Sequence, residues 1–150
     1  MWSLDPTGTT VRPGERIACR LTWTVPAPRG WRSLDTLQLR LVDGGETALW
    51  VRFDEVAGTP GLFSVVNSTN AKVGPGFAPG RHNRLEGELA SVDLAESAVD
   101  GAPGRRVTLT LALGFKPLAA GHTYDVLVAA TDDAGEVQGF HRAGTITVNR

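Results

Sequence analysis

Apolar residues recur at every second position in several short runs of the chain, and glycine or proline separates these runs. Successive side chains of a β-strand point to opposite faces of a sheet, so this alternation predicts strands with one buried and one solvated face. The clearest run is residues 107–115, in which one face is formed by Val107, Leu109, Leu111, Leu113 and Phe115. Helical periodicity is nearly absent, and the chain is therefore expected to fold as β-sheet.

Three more runs carry their apolar side chains at odd positions, from Ile17 to Val25, Leu37 to Leu41 and Leu49 to Phe53. We predict that these odd positions are buried and that their even neighbours face solvent. Residues 61–66, 124–131 and 144–148 are further strand candidates. Residues 91–99 have apolar side chains at helical spacing and are predicted to form the one helical turn.

Seven or eight strands separated by turn sequences such as VDGGE and DDAG are typical of an antiparallel β-sandwich, and they argue against a parallel α/β fold. The chain has 150 residues, the size of one domain, and neither a repeat nor a linker divides it. Residues 1–150 are therefore expected to form a single domain. Residues 67–87 form the longest stretch without alternation, and loops of this length are often functional or mobile.

Charge and hydrophobicity argue against several classes of function. The 15 basic residues are balanced by 16 acidic residues, so the chain offers no basic field for nucleic acid. No apolar run reaches the roughly 18 residues of a membrane-spanning helix, so membrane insertion is not expected. The start, MWSLDPTGTT, lacks the features of a signal peptide, which leaves a cytoplasmic chain or one whose leader has been removed.

Residues that often carry chemistry occur here without the spacing of a known motif. His82, His122 and His141 match no zinc pattern, and no serine has the context of a nucleophile elbow. Cys19 lies on the apolar face of its predicted strand, where burial raises the pKa of a thiol and suppresses its reactivity. We expect no catalytic residue, no metal and no cofactor. A hydrolase built from loop histidines and aspartates is the weakest hypothesis.

The segment around Tyr124 predicts a corner followed by a capped turn. Gly121 permits a tight turn before Tyr124, whose ring is expected to be buried with its hydroxyl bonded to backbone near residues 118–121, as in the tyrosine corner of sandwich proteins. Asp132 and Asp133 precede Gly135, and short acidic side chains cap such turns through bonds to backbone N–H groups. A calcium site is the functional alternative, although calcium requires about six to eight oxygen ligands.

Two tryptophans are candidate ligand-binding residues. Trp50 points away from the apolar face of its strand, and Trp31 follows the turn PAPRG. Either side chain could form an exposed aromatic platform on which a sugar or a protein docks. Burial beneath a loop or a terminus is the structural alternative for both residues.

The segment VTLTLALGFKPLAAGHTYDVLVAATDDAGEVQGFHRAGTITV, residues 107–148, resembles the closing half of an immunoglobulin-like domain found in multidomain secreted and surface proteins of bacteria. The shared pattern is a Thr/Leu alternation, Phe-Lys, Ala-Gly, a tyrosine strand, Asp-x-x-Gly, Gly-aromatic and Gly-Thr-x-x-Val. LWVRFDE and the glycine-rich loop before LEGELASV resemble the same domain more weakly. Phe140 and Ile146 stand where the resemblance implies tryptophan.

The resemblance implies an immunoglobulin-like β-sandwich that serves as a non-catalytic binding, adhesive or spacer module of a secreted or cell-surface bacterial protein. Its partner would be a protein or a glycan at the cell surface. The alternative is a carbohydrate-binding accessory domain that uses Trp31 and Trp50. Some relatives carry cysteines at the positions of Ala48 and Ala90, which implies that the two alanines face each other across neighbouring strands within disulfide distance.

Overall fold

The computed structural model describes residues 2–150, which form eleven β-strands and two short 3-10 turns. The strands are β1 (Trp2–Asp5), β2 (Gly8–Val11), β3 (Arg16–Thr24), β4 (Leu34–Asp43), β5 (Glu46–Asp54), β6 (Leu62–Val65), β7 (Arg84–Glu86), β8 (Ala90–Asp100), β9 (Arg106–Phe115), β10 (Thr123–Asp132) and β11 (Val137–Val148). The 3-10 turns are Trp31–Ser33 and Pro117–Ala119. No helix in this part of the chain is long and apolar enough to cross a membrane.

The strands belong to two sheets, with the orders β1-β3-β9-β8-β7 and β2-β11-β10-β4-β5-β6. All pairs are antiparallel except β2, which runs parallel to the end of β11. The prediction of a largely antiparallel all-β fold is therefore confirmed, with the second sheet mixed. The expected seven or eight strands are exceeded partly because β1, β2 and β7 have only three or four residues each. Alternation cannot be recognised over so short a stretch.

Residues 91–99 are not helical, and that prediction is wrong. They belong to β8, which pairs with β7 and β9. A bulge between Asp93 and Ala98 shifts the pairing of β8 with β9. The Ser97 hydroxyl donates a hydrogen bond to the Asp93 carbonyl, 2.7 Å away, and accepts one from the N–H of Ala112, at 3.1 Å. The bulge breaks the period of two, which explains why the apolar residues of this strand mimic helical spacing.

The predicted register is confirmed in β3, β4, β5 and β9. Odd-numbered apolar residues are buried from Cys19 to Val25, Leu37 to Leu41, Leu49 to Phe53 and Val107 to Phe115. Ile17 is only partly buried, because β1 pairs with residues 20–23 of β3 and does not extend to it. Ala112, an even residue, is buried where the β8 bulge bonds to its backbone.

The buried side chains of both sheets form one hydrophobic core. Leu21 and Leu111 of the first sheet line a small internal cavity together with Leu39 and Phe53 of the second. Near one end of this core, the rings of Phe115 and Tyr124 stack across the sheets with their centroids 5.9 Å apart. The faces that the alternation predicts to be apolar are therefore packed against each other.

Tyr124 is buried as predicted, but its hydroxyl does not form the predicted bond. The side chain is 1% exposed, and within residues 2–150 its hydroxyl oxygen has no hydrogen-bond partner. Gly121 adopts φ +87°, and its N–H donates to the Val148 carbonyl at 2.7 Å, so the tight turn closes without the tyrosine. Burial, followed by the charges of Asp43 and Glu46, raises the pKa of the Tyr124 hydroxyl.

Tyr124→Phe is expected to leave the free energy of unfolding unchanged or to raise it by about 1 kcal/mol. Burying an unpaired hydroxyl costs about 1–3 kcal/mol, and phenylalanine keeps the stacked ring without that cost. Urea unfolding of the two proteins measures the difference. A loss of more than about 1 kcal/mol would contradict the unpaired hydroxyl and restore the tyrosine corner.

Candidate functional site

The outer face of the second sheet carries a cluster that we call the aromatic face, formed by Gln38, Arg40, Trp50, Ala129 and Phe140. The alternation that buries the odd residues of β4 and β5 places Gln38, Arg40 and Trp50 on the opposite side. Ala129 of β10 pairs directly with Gln38, so its side chain lies on the same face. The cluster is thus a consequence of strand register.

Polar contacts fix Trp50 on this face. Its indole Nε1 donates a hydrogen bond to Gln38 Oε1 at 2.7 Å. The guanidinium carbon of Arg40 lies 4.5 Å from the indole ring centroid, in cation–π contact. Arg40 is itself held by two bonds to Thr47 Oγ1, at 3.0 Å from Nε and 2.8 Å from Nη2. The half-buried indole therefore has a defined orientation before any ligand binds.

Phe140 of β11 completes the aromatic face, although its strand is not a neighbour of β5. Its ring centroid lies 6.0 Å from that of Trp50, with the rings nearly perpendicular at 75°. Strands β10 and β4 separate β11 from β5, so the two side chains must lean toward each other across the sheet. The small side chain of Ala129 leaves room for that contact. Phe140 remains 36% exposed.

Trp31 lies outside the aromatic face, and its predicted role as an exposed platform is wrong. The side chain is only 2% exposed. Its Nε1 donates to the Ala102 carbonyl at 3.2 Å, and a Cβ placed on Gly101 would come within 2.3 Å of the ring. The turn after β8 therefore covers the indole closely. The Arg32 guanidinium lies over the ring, 4.3 Å from its centroid.

Asp132 closes the turn between β10 and β11. Its Oδ1 accepts the N–H groups of Ala134 and Glu136, at 3.0 and 2.9 Å, and its Oδ2 lies 2.9 Å from Arg29 Nη1. These contacts, led by the Glu136 N–H, lower the pKa of Asp132. The stability they contribute is present above the unfolded-state pKa and is lost as pH falls through the folded-state pKa. Asp133 is exposed and contributes through its backbone N–H, which donates to the Ser33 carbonyl at 2.9 Å.

Calcium is expected to leave the melting temperature of the protein unchanged within about 1 °C, because the Asp132 carboxylate is already engaged by protein donors. In the described part of the chain, no group of three or more His, Cys, Asp or Glu side chains is placed to hold a metal ion. Comparing the melting temperature with excess calcium and with chelator tests this prediction. A ligand at a hundred times its Kd stabilises by about 2.7 kcal/mol, so a shift of several degrees would contradict this prediction.

The three histidines lie in different parts of the fold. His122 Nδ1 lies 2.8 Å from Asp43 Oδ2 at the surface. His82 is exposed in the loop before β7, and His141 is exposed in β11. The structure thus does not bring the histidines together, and the geometry gives no support to the hydrolase hypothesis.

Cys19 is 1% exposed, and its burial, followed by the charge of Asp5, raises the pKa of the thiol to about 12. We expect Ellman's reagent to leave the native protein unmodified at neutral pH and to react once urea unfolds it, because the thiolate is the nucleophile. The release of thionitrobenzoate measures the reaction. Rapid release from the native protein would contradict the burial of Cys19.

Sequence reasoning identified Trp50 but not its partners. Gln38 and Arg40 were predicted only as solvent-facing positions, and Phe140 only as a departure from an expected tryptophan. The even register of β4 beside β5 is the signal that could have grouped the first two residues with Trp50. No protein-family model matches the sequence, and no curated protein matches it either. The aromatic face is therefore interpreted from its geometry.

Proposed function

We propose that this chain is an immunoglobulin-like β-sandwich that serves as a non-catalytic binding module of a secreted or surface bacterial protein. We further propose that the aromatic face binds a protein partner. The observation that carries the proposal is the contact between Trp50 and Phe140, with Arg40 over the indole, on a solvent-facing sheet.

Strand order supports the immunoglobulin-like part of this proposal. In such domains one sheet has the order A-B-E-D and the other contains G-F-C, which variable-type domains extend with C′ and C″. The order β1-β3-β9-β8 corresponds to the first sheet, and β11-β10-β4-β5-β6 corresponds to the extended second sheet. In this correspondence, β2 and β7 are short additions at the sheet edges.

The composition of the aromatic face favours a protein over a glycan. Tryptophan, phenylalanine and arginine are enriched in protein interfaces, where rigid aromatic side chains contribute contact area at low entropic cost. Trp50 and Arg40 are already oriented by their hydrogen bonds, which reduces the cost of ordering them on binding. A sugar would stack on the indole ring, but Arg40 occupies one face of that ring. Glycan binding is therefore the less favoured alternative.

To test this proposal, the wild-type domain and three variants are screened for binding to purified bacterial surface proteins, to extracellular proteins and to a glycan array. Trp50→Ala and Phe140→Ser alter the aromatic face. Leu118→Ser is the matched control, because Leu118 is 82% exposed in the turn before β10, outside that face. We expect one protein on the panel to bind the wild type and the control equally and both face variants at least about tenfold more weakly, in line with the loss of an interface anchor.

Other outcomes overturn the protein-binding proposal. A glycan ligand that is lost with Trp50→Ala would instead support the carbohydrate-binding alternative. Unchanged protein binding by both face variants would place the partner elsewhere on the domain. If neither the protein panel nor the glycan array yields a ligand, a spacer role explains the domain better than a binding role. Circular dichroism of each variant verifies that the fold is retained.

A further inference from the structure

A second concave site, here called the edge cleft, lies where the margins of the two sheets approach each other. It has a volume of about 560 Å³, within the range of small-molecule sites. The cleft is lined by residues 47–50 of β5, by residues 65–68 and 72–74, and by residues 86–88 at the end of β7 and in the turn to β8. The irregular stretch 67–87 thus supplies much of the cleft.

Close backbone packing fixes the base of the edge cleft. The N–H of Leu89 donates to the Ala48 carbonyl at 3.0 Å, and the N–H of Gly87 donates to the Ala90 carbonyl at 2.8 Å. A Cβ on Gly87 would lie only 2.7 Å from the Ala48 oxygen and 2.9 Å from the Ala90 oxygen. Only a glycine fits there, so the backbone segments at the base of the cleft are in close contact.

The loop that carries Lys72 into the cleft is held in a strained conformation. Ala71 has φ +58°, the one positive value for a non-glycine residue among residues 2–150. Such a conformation costs an alanine about 1 kcal/mol and is often retained at binding sites. The N–H of Ala71 donates to the Asn67 carbonyl at 2.7 Å, and that of Lys72 donates to Asn70 Oδ1 at 2.9 Å. These hydrogen bonds hold the backbone of the loop that presents the lysine.

Side chains of opposite charge, Lys72 and the pair Glu86 and Glu88, line the edge cleft together with apolar residues. Lys72 forms no ion pair within residues 2–150, whereas Glu86 pairs with Lys116 at 3.1 Å. Glu88 accepts a hydrogen bond from the Ser68 hydroxyl at 3.0 Å through Oε1, which leaves Oε2 available. Val73, which follows Lys72 in the chain and also lines the cleft, is 43% exposed. A ligand that matches this lining is apolar and carries both an anionic and a cationic end.

We propose that the edge cleft binds a short apolar peptide whose carboxylate pairs with Lys72 and whose ammonium group pairs with Glu88. Ser68 and Lys72 belong to one turn, and Glu88 is tied to Ser68. Both charges therefore lie within reach of a single small molecule. The apolar side chains of the peptide contact Val65 and Val73. The edge cleft shares Trp50 with the aromatic face at its margin, but the charged groups that bind the peptide lie outside that face, and the proposal does not depend on its function.

The experiment titrates leucyl-leucine, its N-acetyl derivative and its C-terminal amide into ¹⁵N-labelled protein and follows amide shifts by NMR. We expect leucyl-leucine to shift residues 65–74 and 86–88. Lys72→Gln should weaken binding of the free dipeptide about tenfold while leaving binding of the amide unchanged, because the amide has no carboxylate to lose. Glu88→Gln should likewise weaken binding of the free dipeptide about tenfold. It should leave binding of the N-acetyl derivative unchanged, because that derivative has no ammonium group to lose.

Arg106→Gln is the charge-matched control for Lys72→Gln, because Arg106 is exposed at the start of β9, away from the edge cleft. It should bind leucyl-leucine as the wild type does. The proposal is overturned if none of the three peptides shifts cleft residues. It is also overturned if the shifts fall elsewhere, or if Lys72→Gln weakens the free dipeptide and the amide equally. The NMR spectrum of each variant verifies its fold in the same measurement.

Discussion

Trp31→Ala is expected to lower the free energy of unfolding by about 3–5 kcal/mol, the usual cost of truncating a large buried aromatic residue. The indole is 2% exposed, packs against Gly101 and donates to the Ala102 carbonyl. Its loss leaves a cavity and an unpaired carbonyl in the turn between β8 and β9. Because small domains are stable by about 5–15 kcal/mol in total, the variant should unfold at a much lower urea concentration.

Trp50→Ala is the matched control for this measurement, since it removes the same side chain from the half-buried aromatic face. There the loss comprises the hydrogen bond to Gln38, a cation–π contact and an edge contact with Phe140, each about 0.5–1.5 kcal/mol. Urea unfolding of both variants gives the comparison. Equal losses would contradict the assignment of Trp31 to the core and Trp50 to the surface.

The contrast between the two tryptophans indicates which parts of the fold are encoded locally. The orientation of Trp50 follows from the alternation within β5 and was predicted. The burial of Trp31 depends on Gly101, which is distant in the chain, and no local pattern reveals it. The same holds for the contact of Trp50 with Phe140, because it requires the sheet order and the small side chain of Ala129.

Local pattern also fails where strands are short or irregular. β1, β2 and β7 are too short to display a period, although they form three of the four sheet edges. In β8, the bulge between Asp93 and Ala98 places apolar residues at a spacing that resembles a helix. The strands that were predicted correctly, such as β3 and β9, are long. β3 pairs with β9 over its whole length, and β9 pairs with β8 on its other side over most of its length. One face of each of these strands is buried along most of its length, so the apolar residues alternate regularly.

The relation between Ala48 and Ala90 differs from the prediction in one respect. Both alanines are fully buried, but Ala48 lies in β5 of the second sheet and Ala90 in β8 of the first, so the two strands are not neighbours in one sheet. Their carbonyl oxygens nevertheless both lie close to Gly87, 2.7 and 2.9 Å from where a Cβ on that residue would stand. A bridge between the two positions would join the margins of the two sheets beside the edge cleft.

Ala48→Cys combined with Ala90→Cys is expected to form a disulfide and to raise the free energy of unfolding by about 2–4 kcal/mol under oxidising conditions. The bridge would close a long loop of the chain and so reduce the entropy of the unfolded state. Cys19 should not compete, because burial raises the pKa of its thiol to about 12. Mass spectrometry detects the crosslink, and urea unfolding with and without reductant gives its contribution. Each single variant serves as a control for the cysteine substitution itself.

The same experiment tests how far the immunoglobulin-like resemblance extends along the chain. A disulfide requires Cα atoms about 4.4–6.8 Å apart, so a crosslink would support the alignment that places the relatives' cysteines at Ala48 and Ala90. If the double variant stays reduced while remaining folded, the two Cα atoms lie more than about 7 Å apart or their Cβ atoms point away from each other. The alignment over residues 48–90 would then be wrong, and the resemblance would be confined to residues 107–148. The strand order of the second sheet would remain as independent support for the fold, because it does not depend on that alignment.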